Sequence, residues 1–380
     1  MKKNTRYTIP QRSCNHVPLH EGDGQNPCKK GNGLYGTTIL RCTLLIAGLV
    51  FPLLSRGALS DTAKDTTPPV VHTDVTPAVV HDTHLFLSGE ACDNNGIARV
   101  LVNGCPLEIH TGRRVSFNHL LPLREGRNIV TVQAIDASGN ASVVSPVKIT
   151  RKAFDLPETV SRYAVALLPV KSSPALDMPG ESIHSLFLKA FGEEPQRFHF
   201  VERDPARLEG ILREQRISKI GQISPETVIK IGKIIAAEGL FLVTIDEDVN
   251  GIGITLRLVD TETGRIRAQA SVHDADNGMK NLEWLIYGLS LKIKRQLPAA
   301  QGNVIRISEN GFYVNTGAAH GIEVGMKLLL FREIREGNFV LKEPLDTIAR
   351  VERVLPHICF VTVSREGISR VEKGDLVLAK

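Results

Sequence analysis

Aromatic side chains are scarce in this chain of 380 residues, 5% in all, and Trp284 is the one tryptophan. A row of exposed rings is what a carbohydrate-binding face would show. The scarcity ranks that reading low. Motifs of bond-making chemistry are missing too. The chain has no G-x-S-x-G, no H-E-x-x-H and no paired C-x-x-C, which leaves no nucleophile elbow, zinc helix or thiolate cage to start from. Gly251-Ile252-Gly253 has neither a third glycine nor a following helix, and Gly232-Lys233 lacks the upstream glycine of a phosphate loop. Both read as turn or packing glycines. Charge of one sign is lacking beyond the leader. Residues 1–60 hold eight Lys/Arg against Glu21 and Asp23, so the remaining 320 residues carry 38 basic and 39 acidic groups. A basic face able to displace counterions from phosphates is not available there, which excludes nucleic acid as a partner.

Long apolar runs are absent as well. The leader's apolar stretch, Cys42–Leu54 (CTLLIAGLVFPLL), has 13 residues and contains Pro52, short of the roughly 20 that span a bilayer. Basic residues precede it and Ala58-Leu59-Ser60 follow, the order of a secretory signal. Residues 1–60 are therefore expected to be a signal peptide or an N-terminal membrane anchor, with Asp61 as the mature N-terminus if cleaved. No cysteine follows the run at lipobox distance. An exported location permits disulfides. Of six cysteines, Cys14, Cys28 and Cys42 lie in the leader. Cys92 and Cys105 are candidates for a disulfide, the alternative being two small buried residues, and Cys359 in ICFVTV reads as core.

What is present divides into blocks. Residues 61–84, rich in Thr, Pro and Asp, read as a linker passing into a first strand. Residues 85–152 show LFLSG, IARVLVNG, VSFNHLLPL, RNIVTVQAID and SVVSPVKIT separated by turn residues, the spacing of a small β-sandwich. Asn103-Gly104 suits a two-residue type I′ hairpin. Residues 158–298 alternate strands and helices. RYAVALLPV is apolar enough for a strand buried on both faces, and helices are expected from Pro179 to Phe191, after Asp204-Pro205, after Ser224-Pro225-Glu226 with Gly239 closing it, and through Leu282–Leu297. Residues 301–380 are again short strands with Gly-rich turns.

The charged stretch FHFVERDPARLEGILREQRIS (198–218) tests for catalysis most sharply. Glu202, Arg203 and Asp204 adjoin. Yet Asp204 is placed to cap a helix, Glu209 and Arg213 form an i,i+4 pair, and each acid has an arginine close by. Paired carboxylates that work as acid and base need environments that separate their pKa values, so this stretch reads as a strand-to-helix junction. His72, His81, His84, His110 and His119 crowd into the first block without a convergent ligand pattern, and Asp93-Asn94-Asn95 and Asp136–Asn140 offer oxygens to calcium but also read as plain turns. No catalytic, cofactor or metal residue is assigned.

Three resemblances rest on these segments. GIARVLVNG with LPLREGRNIVTVQAIDASGN resembles the bacterial immunoglobulin-like fold related to domain B of glucodextranase, which implies a spacer or adhesive module. AVALLPV, FVERDPARLEGILREQRIS, TVIKIGKIIAAEGLFLVTI and ITLRLVDTETGRI resemble the curli secretion channel family and related flagellar outer-membrane proteins, implying an α/β domain with an anticodon-binding-like layered sheet. The short connections here are unlike that family's long membrane hairpins. GFYVNTGAAHGIEVGM and VEKGDLVL resemble the SH3-like C-terminal barrel of flagellar assembly protein T. Together they imply an exported, non-catalytic assembly or scaffold protein on the periplasmic side of the cell envelope, at a flagellar base or a secretion-associated outer-membrane complex. Its partners would be envelope proteins or copies of itself, and the membrane if the leader is retained. A cell-wall or carbohydrate-binding protein is the alternative, and an enzyme with an unfamiliar site the third.

Overall fold

The computed structural model describes residues 65–380 apart from 77, 143–145, 153–162, 171–178, 193–196, 203, 215–223, 249–250, 277, 298–299 and 338. The expected leader, with Cys14, Cys28 and Cys42, lies outside the described residues. The protein is mostly β, and Thr66–Lys380 form one compact unit in which the three expected blocks meet.

The first block contains β1 (Val70–Thr73), β2 (Ala78–Val80), β3 (His84–Val102), β4 (Cys105–Pro106), β5 (Gly112–Pro122), β6 (Gly126–Val130), β7 (Val132–Asp136) and β8 (Val147–Arg151). LFLSG and IARVLVNG, expected as two strands, are one. The Cys92–Gly96 stretch makes a bulge in β3, where Asp93 Oδ1 accepts from the Asn95 and Gly96 amides at 2.7 and 3.1 Å. Turn chemistry bends the strand without ending it. Before the bulge β3 pairs with β1 and β5; after it, with β7 and, through the two-residue Asn103-Gly104 turn, with β4. Asn103 and Gly104 both take positive φ, 50° and 80°, as a type I′ turn demands. RNIVTVQAID also departs from expectation: at Thr131 it crosses from a β2-β8-β6 sheet to the β3 sheet. Asn103 pins this corner, its Oδ1 accepting from the Thr131 amide at 2.8 Å. Leu87, Val100, Ala134 and Ile149 fill the space between the two sheets.

The second block contains β9 (Tyr163–Leu167), α1 (Gly180–Gly192), β10 (Phe198–Glu202), α2 (Pro205–Glu214), α3 (Pro225–Ile235), β11 (Gly239–Asp248), β12 (Gly251–Asp260), β13 (Ile266–Asp274) and α4 (Met279–Gln296). Its sheet runs β10-β9-β11-β12-β13, parallel across β10, β9 and β11 and antiparallel thereafter. Residues of α1 and α4 pack on the face carrying Val165, Leu167, Phe198 and Phe241; residues of α2 and α3 pack with Ala166, Leu168 and Leu240 on the other. Ser224 and Pro225 open α3 as expected, but the helix stops earlier, with Ala236 left-handed at φ 52°. Gly239 instead begins β11, where a Cβ would lie 2.7 Å from the Tyr163 ring. Gly232 meets Thr261 at a similarly close helix–sheet approach. That contact explains Gly232-Lys233 without a phosphate.

The third block is a closed six-stranded barrel of β14 (Gln301–Ser308), β15 (Gly311–Val314), β16 (Lys327–Glu336), β17 (Phe339–Val354), β18 (Cys359–Thr362) and β19 (Leu376–Ala379), with the one-turn helix α5 (Arg365–Ile368) before β19. Closure leaves no unpaired edge. Cys359 is buried in the barrel core, where desolvation pushes its thiol up to about 11. Among the described residues no helix is long and apolar enough to cross a membrane.

Candidate functional site: two junctions between blocks

The strand-to-helix stretch at 198–218 keeps to its structural reading. Asp204 Oδ1 accepts from the Ala206 amide at 2.9 Å, the Asp204 carbonyl accepts from the Leu208 amide, and Glu209 lies 3.9 Å from Arg213 on the exposed face of α2. Arg203 and Gln215 lie outside the described residues. The histidines of the first block disperse: His81 Nδ1 lies 3.1 Å from the Lys152 carbonyl, His84 pairs with Thr83, and among the described residues no three histidines converge. The Asp93 and Asp136 turns are stapled together by Asn95 donating to Ser138 Oγ and Ala137 to the Gly96 carbonyl. Both Asp136 oxygens accept from Asn140, each at 2.7 Å. Cys92 and Cys105 form no disulfide. Cys92 stands opposite Val70 and Arg114, whereas Cys105 stands opposite Val102, ten positions farther along β3. Disulfide geometry needs Cα atoms within about 7 Å.

Asp93 and Asp136 do converge with Asp65, one carboxylate oxygen of each lying within 4.8 Å of the others. Polar chemistry also gathers where blocks meet. At the first junction the outward faces of β3 and β5 lie on α4 and the end of β13. Phe86, 1% exposed, belongs to the core of the second block and stands edge-on to Trp284 with ring centroids 4.9 Å apart. Gly288 of α4 admits that ring: a Cβ there would sit 2.4 Å from it. Leu120 packs into the same core. Around this apolar contact runs a polar set. Lys292, 4% exposed, reaches Asp74 at 2.9 Å and donates to the Ser271 carbonyl at 2.8 Å. Arg295 meets the same Asp74 at 3.5 Å, and Asp74 Oδ1 accepts from the Ser88 amide. Burial pulls the Lys292 ammonium below its ordinary range while Asp74 opposes that shift. Asn118 donates to the His273 carbonyl at 2.8 Å and to Asp274 at 3.1 Å. Nearby, burial raises the Asp82 carboxyl and lowers the Arg197 guanidinium to about 10, each offset by the other's charge. Arg197 also donates to the Leu297 carbonyl at 3.1 Å. A cavity of about 10 Å³ at this seam, lined by Asp82, His84, Phe86, Lys292 and Arg295, holds one water at most.

The second junction, between the barrel and the second block, is built of charge. Lys327 contacts Glu262 at 2.5 Å and Glu238 at 3.5 Å; Arg350 contacts Glu262 at 2.9 Å; Lys380 contacts Glu238 at 2.8 Å. Hydrogen bonds from Lys327 and Arg350 hold the Glu262 carboxyl below its ordinary range. Glu238 is itself anchored, its other oxygen accepting from the Ala164 amide at 3.0 Å. Among the described residues, no core cluster joins the barrel to the second block.

Sequence reasoning missed both junctions. No role is assigned to Lys292, Arg295, Glu238 or Glu262 from the sequence. One signal was available at the first junction. Leu85-Phe86-Leu87 is apolar at three consecutive positions, the pattern of a strand covered on both faces, and all three are buried.

No family model and no curated protein matches the chain. Solved structures with similar parts include the fibronectin(III)-like modules of Clostridium thermocellum CbhA, at 26% identity over 25% of this chain and 52% of that one, with a TM-score of 0.21. The chain thus spans about half of that structure. The PelC dodecamer from Paraburkholderia phytofirmans is 16% identical over 34% of this chain and 88% of its own, with a TM-score of 0.22. The lipoprotein GNA1162 from Neisseria meningitidis is 17% identical over 33% and 91%, with a TM-score of 0.24.

Proposed function

We propose that the chain is a non-catalytic, exported scaffold protein of the cell envelope, holding together an immunoglobulin-like sandwich, a curli-channel-like α/β domain and an SH3-like barrel for assembly with other envelope proteins or with copies of itself. The observation that carries this reading is that charged side chains are paired off across the seams between blocks. Buried Lys292 and half-buried Asp82, Arg197 and Glu238 serve the seams between blocks, and the cavity beside Lys292 and Asp82 has room for only a water. Catalytic and ligand sites instead converge polar groups on a pocket of several hundred Å³. A flagellar-base or secretion-associated setting is the finer form of this reading. Carbohydrate binding is the less supported alternative, because Trp284 is packed against Phe86 at the first junction and is not free to stack on a sugar.

Crosslinking in the native cells, followed by identification of captured proteins and fractionation, tests this reading. Capture of envelope proteins or of the chain itself from the periplasmic fraction is expected. Recovery in the cytosol with Met1 intact, or capture of soluble metabolic enzymes alone, would contradict it.

A further inference from the structure

The two junctions differ in kind. The first block shares a core with the second through Phe86 and Leu120, whereas the barrel meets the second block through Glu238 and Glu262 on one side and Lys327, Arg350 and Lys380 on the other. An apolar contact sheds water whatever the salt concentration. A contact between partly exposed charges is weakened by salt, because the Debye length falls to about 3 Å at 1 M. Glu262 and Arg350 are each about half exposed, at 46% and 50%, so water and ions reach that side of the seam, whereas Lys327 and Glu238 are mostly covered and Lys380 is nearly enclosed. Separated, each side keeps its charges solvated and exposes none of the barrel core, which is complete in itself. Opening therefore breaks ion pairs but no shared apolar core among the described residues.

We propose that the barrel is a charge-latched module, closed here on Glu238 and Glu262, that opens and can close instead on the same two carboxylates of a second copy. The occupant follows from charge complementarity. The surface already shown to fit the Lys327–Arg350–Lys380 triad is the acidic pair of this very chain, and a copy presents it in the same geometry. Exchange of an identical element between protomers needs no new interface. This deepens the scaffold reading by supplying a means of self-assembly, but it is tested with the isolated full chain, so its failure is separate from failure of the envelope assignment.

The experiment uses two variants. Glu238→Lys/Glu262→Lys makes both sides of the seam basic, and Lys327→Glu/Arg350→Glu/Lys380→Glu makes both acidic. Small-angle scattering at low salt should show each alone as an extended monomer. Mixed, they can close only across chains, and light scattering should show a 1:1 dimer at least tenfold tighter than the self-association of either. A chain carrying all five substitutions should regain the compact shape in cis, which controls for folding. Variants as compact as the parent, or a mixture that stays monomeric, would overturn the proposal. So would failure of the five-substitution chain to reclose.

Discussion

Gly288 lies where a single methyl group decides whether two blocks can share a core. Adding one drives a Cβ into the Phe86 ring, and the ring has Trp284 beside it. Overpacking of this kind costs about 1–3 kcal/mol. Gly288→Ala should therefore lower the unfolding free energy by that amount in chemical denaturation, and the reciprocal Phe86→Leu should recover part of it in the double variant. His184 of α1 makes a second prediction at this scale. It is 1% exposed, neither ring nitrogen has a hydrogen-bond partner among the described residues, and burial lowers its pKa although Asp204 opposes. Because the folded pKa lies below the unfolded value near 6.5, this residue takes nothing from stability above that pH. It destabilises progressively as pH falls below it. His81, His84 and His119 are shifted in the same direction, also by burial. Unfolding followed from pH 8 to pH 5 should show falling stability, and His184→Leu should make the fall shallower. An unchanged pH slope in that variant would remove His184 from the cause.

At the scale of elements, α4 is the post on which the first junction hangs. Lys292 is nearly enclosed, and Asp74 is its carboxylate partner across the seam. Removing one member of such a pair leaves a buried charge uncompensated, at a cost of about 3–5 kcal/mol. Asp74→Asn should approach the lower end, because Lys292 keeps its bond to the Ser271 carbonyl. Lys292→Met, which removes the charge itself, should cost less. Chemical denaturation of both variants checks the order. The sequence already held the local parts of this architecture. Caps such as Ser224-Pro225, the Asn103-Gly104 turn and the alternating or continuous apolar strands depend on near neighbours and were legible. Element ends that depend on distant partners were not. Gly239 reads as a helix stop, but the Tyr163 ring reserves it for β11. The Asp93 turn reads as a strand break, yet pairing with β5 and β7 carries β3 through it. The junctions were least legible, since Asp74 and Lys292 are joined only by the fold.

At the scale of the whole molecule, the first two blocks share a core, and the barrel joins the second block through ion pairs. Cys92 and Cys105, ten β3 positions apart, should remain thiols in protein prepared under oxidising conditions, and mass spectrometry without reduction should find both unmodified. The most direct measurement is hydrogen exchange of the full chain at low and at high salt, read segment by segment. Amides of β3, β5 and α4 should open together with one free energy that 1 M salt leaves in place. Fast, independent exchange of β3 and β5 beside a protected α4 would contradict it, because the first block would then be a bead on a string.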